Sequence, residues 1–215
     1  MPEINWLKAF QITFLVSLGV AILCVIIYIV RLFIAFGDFD EKYTTNQLVE
    51  EFNKKKTEIY ELKLYYNAIV PNGKLVEIEL DGGEIARFKI ISIGAGRKTE
   101  SSLDFEDWNI PVKSKRADSL LAVLGWTKYT LDSLKQHLED ANCISIVNSK
   151  PAKIGFKRSG MGIYFFNVFD APIADSLKAR YNDSCTYILA TPNLVLEYAG
   201  GAIGSQCFPK KKSQR

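Results

Sequence analysis

Hydrophobic and polar positions divide the chain into one unbroken apolar run and a long remainder in which the two alternate. Between residues 9 and 30 nothing is charged, and only Gln11, Thr13 and Ser17 are clearly polar. About 20 apolar residues in a helix cross a hydrocarbon core about 30 Å thick, so this run is long enough to span a bilayer. A helix also lets a single segment satisfy its own backbone groups in lipid. Trp6 precedes the run and Tyr28 lies near its far end, as interfacial aromatics do, while Arg31 has a stem able to snorkel to the headgroups. These three are the expected anchor residues. A cleaved signal sequence is the rival, because Ala35-Phe36-Gly37 has a small-x-small form. The apolar region of a signal sequence is only about 7–15 residues, however, so an uncleaved single-pass anchor is predicted.

The periodicity beyond residue 36 is mixed. Thr44 followed by Gln47 has capping-box spacing and predicts a helix that turns Leu48 and Phe52 to one side. Past Thr57 two patterns compete. Ile59, Leu62 and Tyr66 fit a helix, whereas Tyr60, Leu62, Leu64 and Tyr66 alternate as a strand does, and the helix is expected to end before that alternation. Pro71-Asn72-Gly73 marks a turn, after which Val76, Ile78 and Leu80 alternate with Glu77 and Glu79. Asp81-Gly82-Gly83 then predicts a hairpin with its return strand over 84–93. Residues 94–116 read as a long polar connection, either a functional flap or partly disordered. Helices are predicted over 119–124, opened by Asp118, and over 131–141, opened by Thr130. Strands are predicted over 143–147, 153–157, 162–169, 185–190 and 194–198, with a short helix over 174–181. Without regular βαβ alternation, the expected class is α+β with a largely antiparallel sheet. The chain then divides into a tail (1–8), an anchor helix (9–36), a juxtamembrane helical segment (37–57), an α+β soluble domain (58–208) and a basic tail (209–215).

Composition narrows the functional classes. The 215 residues carry 27 Lys and Arg against 24 Asp and Glu, a net charge of +3, which gives no electrostatic case for nucleic acid. Four cysteines are too few for a disulfide-stapled scaffold. No second run has spanning length, which excludes a polytopic transporter. Orientation is pulled two ways. The Lys and Arg count after the run (Arg31, Lys42, Lys54 to Lys56) exceeds Lys8 before it and favours a cytoplasmic domain. A short amino tail ahead of one long apolar helix is the build of an exporting signal anchor, and long domains cross largely regardless of charge. An extracytoplasmic domain is the expectation. The tail at Lys210, Lys211, Lys212 and Arg215 is expected to be solvated.

Candidate chemistry is sparse. His137 is the single histidine, which excludes every site built on two imidazoles. Cys143, Cys185 and Cys207 show no C-x-x-C spacing. In an exported domain a Cys185–Cys207 disulfide is expected, because both flank the last predicted hairpin. Gly94-Ala95-Gly96-Arg97 lacks the third glycine of a dinucleotide fingerprint and fails as a P-loop, while the glycines at 200, 201 and 204 allow either an anion nest or a plain bend. Asp104, Glu106 and Asp107 read as solvated acids. No cofactor or metal is expected. The leading expectation is a single-pass membrane-anchored, non-catalytic binding protein: a component of an envelope assembly, or a tethered protein-recognition or inhibitory module. Its partners are the membrane and another protein, met through Phe105, Trp108 and Ile110; the run Tyr164-Phe165-Phe166 is expected to be mostly core. Two alternatives stand beside it. One is a membrane-tethered thiol enzyme with Cys207 as nucleophile and His137 as base; the other is a small-ligand or lipid-binding domain.

Overall fold

The computed structural model describes residues 6–35, 41–94, 101–200 and 204–208. The chain separates into two units, Met1–Glu41 and Lys42–Arg215. In the first, α1 (Trp6–Ala35) contains the segment Phe14–Phe33, which among the described residues is the one helix long and apolar enough to cross a membrane. Tyr28 and Arg31 are exposed on it. Parts of the sequence-based reading fall outside the described residues: Phe36 and Gly37, the glycine-rich positions 95–99, Gly201, and the basic tail 209–215.

The second unit begins with two helices, α2 (Thr45–Lys54) and α3 (Lys56–Ile69). Thr44 caps α2 as its spacing with Gln47 predicts: the Gln47 amide donates to Thr44 Oγ1 at 3.4 Å and the Thr44 amide donates to Gln47 Oε1 at 2.8 Å. Contrary to expectation, α3 runs through the ambiguous stretch 60–66. Its stripe of Ile59, Leu62 and Tyr66 is completely buried, and this packing outweighs the alternating pattern. Leu48 and Phe52 of α2 lie in the same core, and the second unit starts at Lys42.

Eight strands follow: β1 (Lys74–Asp81), β2 (Glu84–Ile93), β3 (Ser101–Pro111), β4 (Ser145–Val147), β5 (Ala152–Ser159), β6 (Gly162–Val168), β7 (Tyr187–Thr191) and β8 (Leu194–Ala199). They form one antiparallel sheet in the order β3-β2-β1-β4-β5-β6-β8-β7, so the protein is α+β. Between β3 and β4 lie α4 (Lys115–Val123), capped by Ser114, and α5 (Lys128–Asp140), capped by Thr127; the short α6 (Asp175–Lys178) precedes β7. Thr130, the expected cap of α5, is instead the reciprocal partner of Thr127 within its first turn.

Helices α2 to α5 share one apolar core with one face of the sheet. A row of directly opposed residues crosses that face from β2 to β7: Phe88, Ile78, Ile146, Ile154, Phe166, Leu196 and Ile188. Seven apolar neighbours in line leave no polar group to satisfy, which is what a helix-covered sheet face requires. The indole of Trp126 closes the core at the end of α3, donating to the Ile69 carbonyl at 2.8 Å and meeting Tyr66 edge-on. Buried Lys63 ion-pairs with Asp170 at 2.5 Å and so ties α3 to the end of β6.

Candidate functional site

The other face of the sheet follows a different rule. Its central row crosses all eight strands as Trp108, Arg87, Glu79, Ser145, Gly155, Phe165, Glu197 and Tyr187, each directly opposite the next. Charged, aromatic and small residues replace the apolar set. Toward β7 this face is partly roofed by the segment carrying α6, where Tyr181 meets Tyr187 edge-on and Ile173 is buried. Toward β3 it opens into a cleft of about 430 Å³ whose walls include Glu77, Glu79, Arg87, Trp108, Arg158 and Phe165.

Two local irregularities aim these side chains. The β5–β6 register shifts between Gly155 and Lys157. Phe156 follows Ile154 into the core, but beyond the shift Arg158 shares the open face with Gly155, a position that regular alternation would give to Lys157. In β3, Asn109 has a positive φ of 53° and Ala86 opposite it is unpaired. Trp108 and Ile110, two residues apart, consequently point to different faces. Gly155 is also required by packing: a Cβ there would collide with Ser145 Oγ.

The charges are arranged in pairs. Arg158 donates through Nε and Nη2 to Glu79 Oε1 at 2.7 and 2.6 Å. Arg87 reaches Glu77 at 3.3 Å and Glu106 at 2.8 Å. Glu79 is only 3% exposed, and this burial raises its carboxyl pKa above the ordinary value, partly offset by the Arg158 guanidinium. Arg87 Nε is buried and has no acceptor among the described residues. Further along the row Glu197 is fully engaged, accepting from Lys153 at 2.7 Å and Asn167 at 2.9 Å. Lys153 also lies 4.0 Å over the Phe165 ring and helps to cover it.

The three residues expected to form one contact surface are separated. They lie on strand β3, not on a flap. Phe105 packs beside Phe88 under Arg116, Ile110 is buried in the core, and Trp108 alone remains 53% exposed, at the cleft. Within the aromatic run 164–166 the faces alternate: Tyr164 and Phe166 are core, Phe165 belongs to the open face. Cys185 and Cys207 are joined in a disulfide, and Phe208 next to it stacks at 5.9 Å on Tyr164, whose hydroxyl accepts from the Tyr43 amide. Cys207 is therefore not a thiolate, and His137 stacks on Tyr65 at 4.4 Å, not on any cysteine. Cys143 lines a second hollow of about 370 Å³ beside Lys135 and Lys157, but burial pushes its thiol up to about 12, slightly countered by Lys157. Among the described residues no cluster of His, Cys, Asp and Glu is arranged to hold a metal ion.

Comparison with protein-family models, with curated proteins and with solved structures finds no match for this chain. Glu79, Arg87 and Arg158 were not legible as site residues, because only the strand register brings them to one place. The alternation of Glu77 and Glu79 with Val76 and Ile78 is the one signal that marks this face as polar.

Proposed function

We propose that this is a single-pass membrane-anchored, non-catalytic binding protein whose soluble domain lies outside the cytoplasm and recognises its partner through the open face of the sheet. The observation that carries this reading is Trp108, a half-exposed indole beside a cleft of pre-formed ion pairs. Tryptophan is among the residues that most often dominate recognition energies. Charge pairs already held in position lose little freedom on binding. Two further features support membrane tethering and export: the helix Phe14–Phe33, long and apolar enough to span a bilayer, and the Cys185–Cys207 disulfide, a bond that persists in oxidising compartments.

Site-specific photocrosslinking in native membranes tests the face. A benzophenone amino acid in place of Trp108 is expected to give a discrete adduct, and the same group in place of Leu64, exposed on α3, is expected to give none. Adducts from position 64 alone, or from neither position, would overturn the reading. Export is checked with a membrane-impermeant maleimide on intact cells. Labelling is expected only after reduction, at Cys185 and Cys207, because Cys143 is buried.

A further inference from the structure

We infer that the open-face cleft takes a neutral saccharide, an inference that rests on the open face being the recognition surface. Its walls hold two carboxylates, Glu77 and Glu79, and two guanidiniums, Arg87 and Arg158, and the four charges cancel. Each carboxylate already faces a guanidinium, at 3.3 Å for Arg87 with Glu77 and 2.6 Å for Arg158 with Glu79. An anionic ligand gains from the arginines what it loses to the glutamates, and a cationic ligand the reverse. A hydroxyl donates and accepts at once, so it can bridge a carboxylate and a guanidinium without disturbing their balance. Glu79 and Arg87 are direct cross-strand neighbours, which puts an acceptor and a donor side by side.

The aromatic walls supply the other half of the match. A pyranose ring carries a face of C–H groups as well as hydroxyls, and its slightly positive hydrogens suit the negative face of an indole. Trp108, directly opposite Arg87, offers such a face next to the charged pairs. Its half exposure, with Arg158 45% exposed at the rim, leaves the site accessible from the sheet surface. A volume of about 430 Å³ falls within the range of about 300–1,000 Å³ usual for ligand clefts.

The test is titration calorimetry on the full chain in a detergent without a sugar headgroup. The probes are cellotetraose, maltotetraose and triacetylchitotriose, with trigalacturonate as an anionic control and chitotriose as a cationic one. At least one neutral oligosaccharide is expected to bind with a Kd below about 1 mM, with both charged controls weaker by about tenfold or more. Trp108→Ala is expected to weaken that binding about tenfold or more, Trp108→Phe to retain most of it, and Leu64→Ala to leave it unchanged. The inference is overturned if no neutral probe binds at about 10 mM, if a charged control binds as tightly as the best neutral probe, or if Trp108→Ala binds normally. A photo-adduct at position 108 without saccharide binding would refute the ligand class and leave the open-face reading standing. Absence of both would refute the two together.

Discussion

The two faces of one sheet are built from the same strands, yet they obey different rules. Phe166 and Phe165 are neighbours in sequence. The first sits in an apolar row beneath the helices, 1% exposed; the second, 6% exposed, sits in a row of charged and aromatic residues beneath Lys153. Burial alone therefore does not separate the helix-covered face from the open one. The chemistry of the neighbours does: an apolar row needs only to be filled, whereas Glu79, Arg87 and Arg158 must be held in specific pairs against a desolvation cost that apolar residues would avoid. A face retained in that form is the one expected to meet a ligand.

This contrast can be broken most sharply at its two phenylalanines. Phe166→Ala should cost about 3–5 kcal/mol in urea unfolding of the full chain, and Phe165→Ala at least about 1 kcal/mol less, because its surroundings include a long lysine stem able to resettle. Equal costs would mean that the open face is core as well. The disulfide comes next. It closes a separation of 22 residues, and replacing Cys185 and Cys207 together with serine should lower stability by about 3 kcal/mol. A loss below about 1 kcal/mol would show that the aromatic stack of Tyr164, Tyr198 and Phe208 holds the terminal segment by itself.

Glu79 yields a pH effect of definite sign. Its folded-state pKa lies above its unfolded value, so the folded chain holds this proton more tightly. The corresponding stability is present below the unfolded carboxylate pKa and is lost as pH rises through the folded value. The unfolding free energy of the wild type minus that of Glu79→Gln should therefore decline on titrating from about pH 4 towards neutrality. A difference that grows with pH would mean that Arg158 outweighs burial. The smallest effect belongs to Trp108→Ala, which should lower stability by no more than about 1 kcal/mol while weakening recognition about tenfold or more. A large loss of stability there would make Trp108 a packing residue.

How far the sequence carried this picture depended on whether each signal was local. The capping box at Thr44 and the β1–β2 hairpin around Gly82 were legible, since a few adjacent residues specify each. Helix α3 was not, because Leu64 and Tyr65 interrupt neither period and only burial of Ile59, Leu62 and Tyr66 decides between them. Strand β3 read as a polar connection for a physical reason. It is an edge strand whose Asp104 and Glu106 pair with Lys74 of β1 and Arg87 of β2, basic partners that no local spacing reveals. The site was legible only at Trp108. Arg158 reaches it through a bulge, and Glu79 meets Arg87 through a cross-strand register that no sequence spacing encodes.

In the membrane the open face, and not the helix layer, is expected to be the occupied surface. Oxidative footprinting measures this directly by comparing the chain in native membranes with the purified chain. Protection of Trp108 in membranes, with Tyr129 of α5 oxidised equally in both states, is the predicted result. Equal oxidation of Trp108 in the two states, or protection confined to Tyr129, would contradict it.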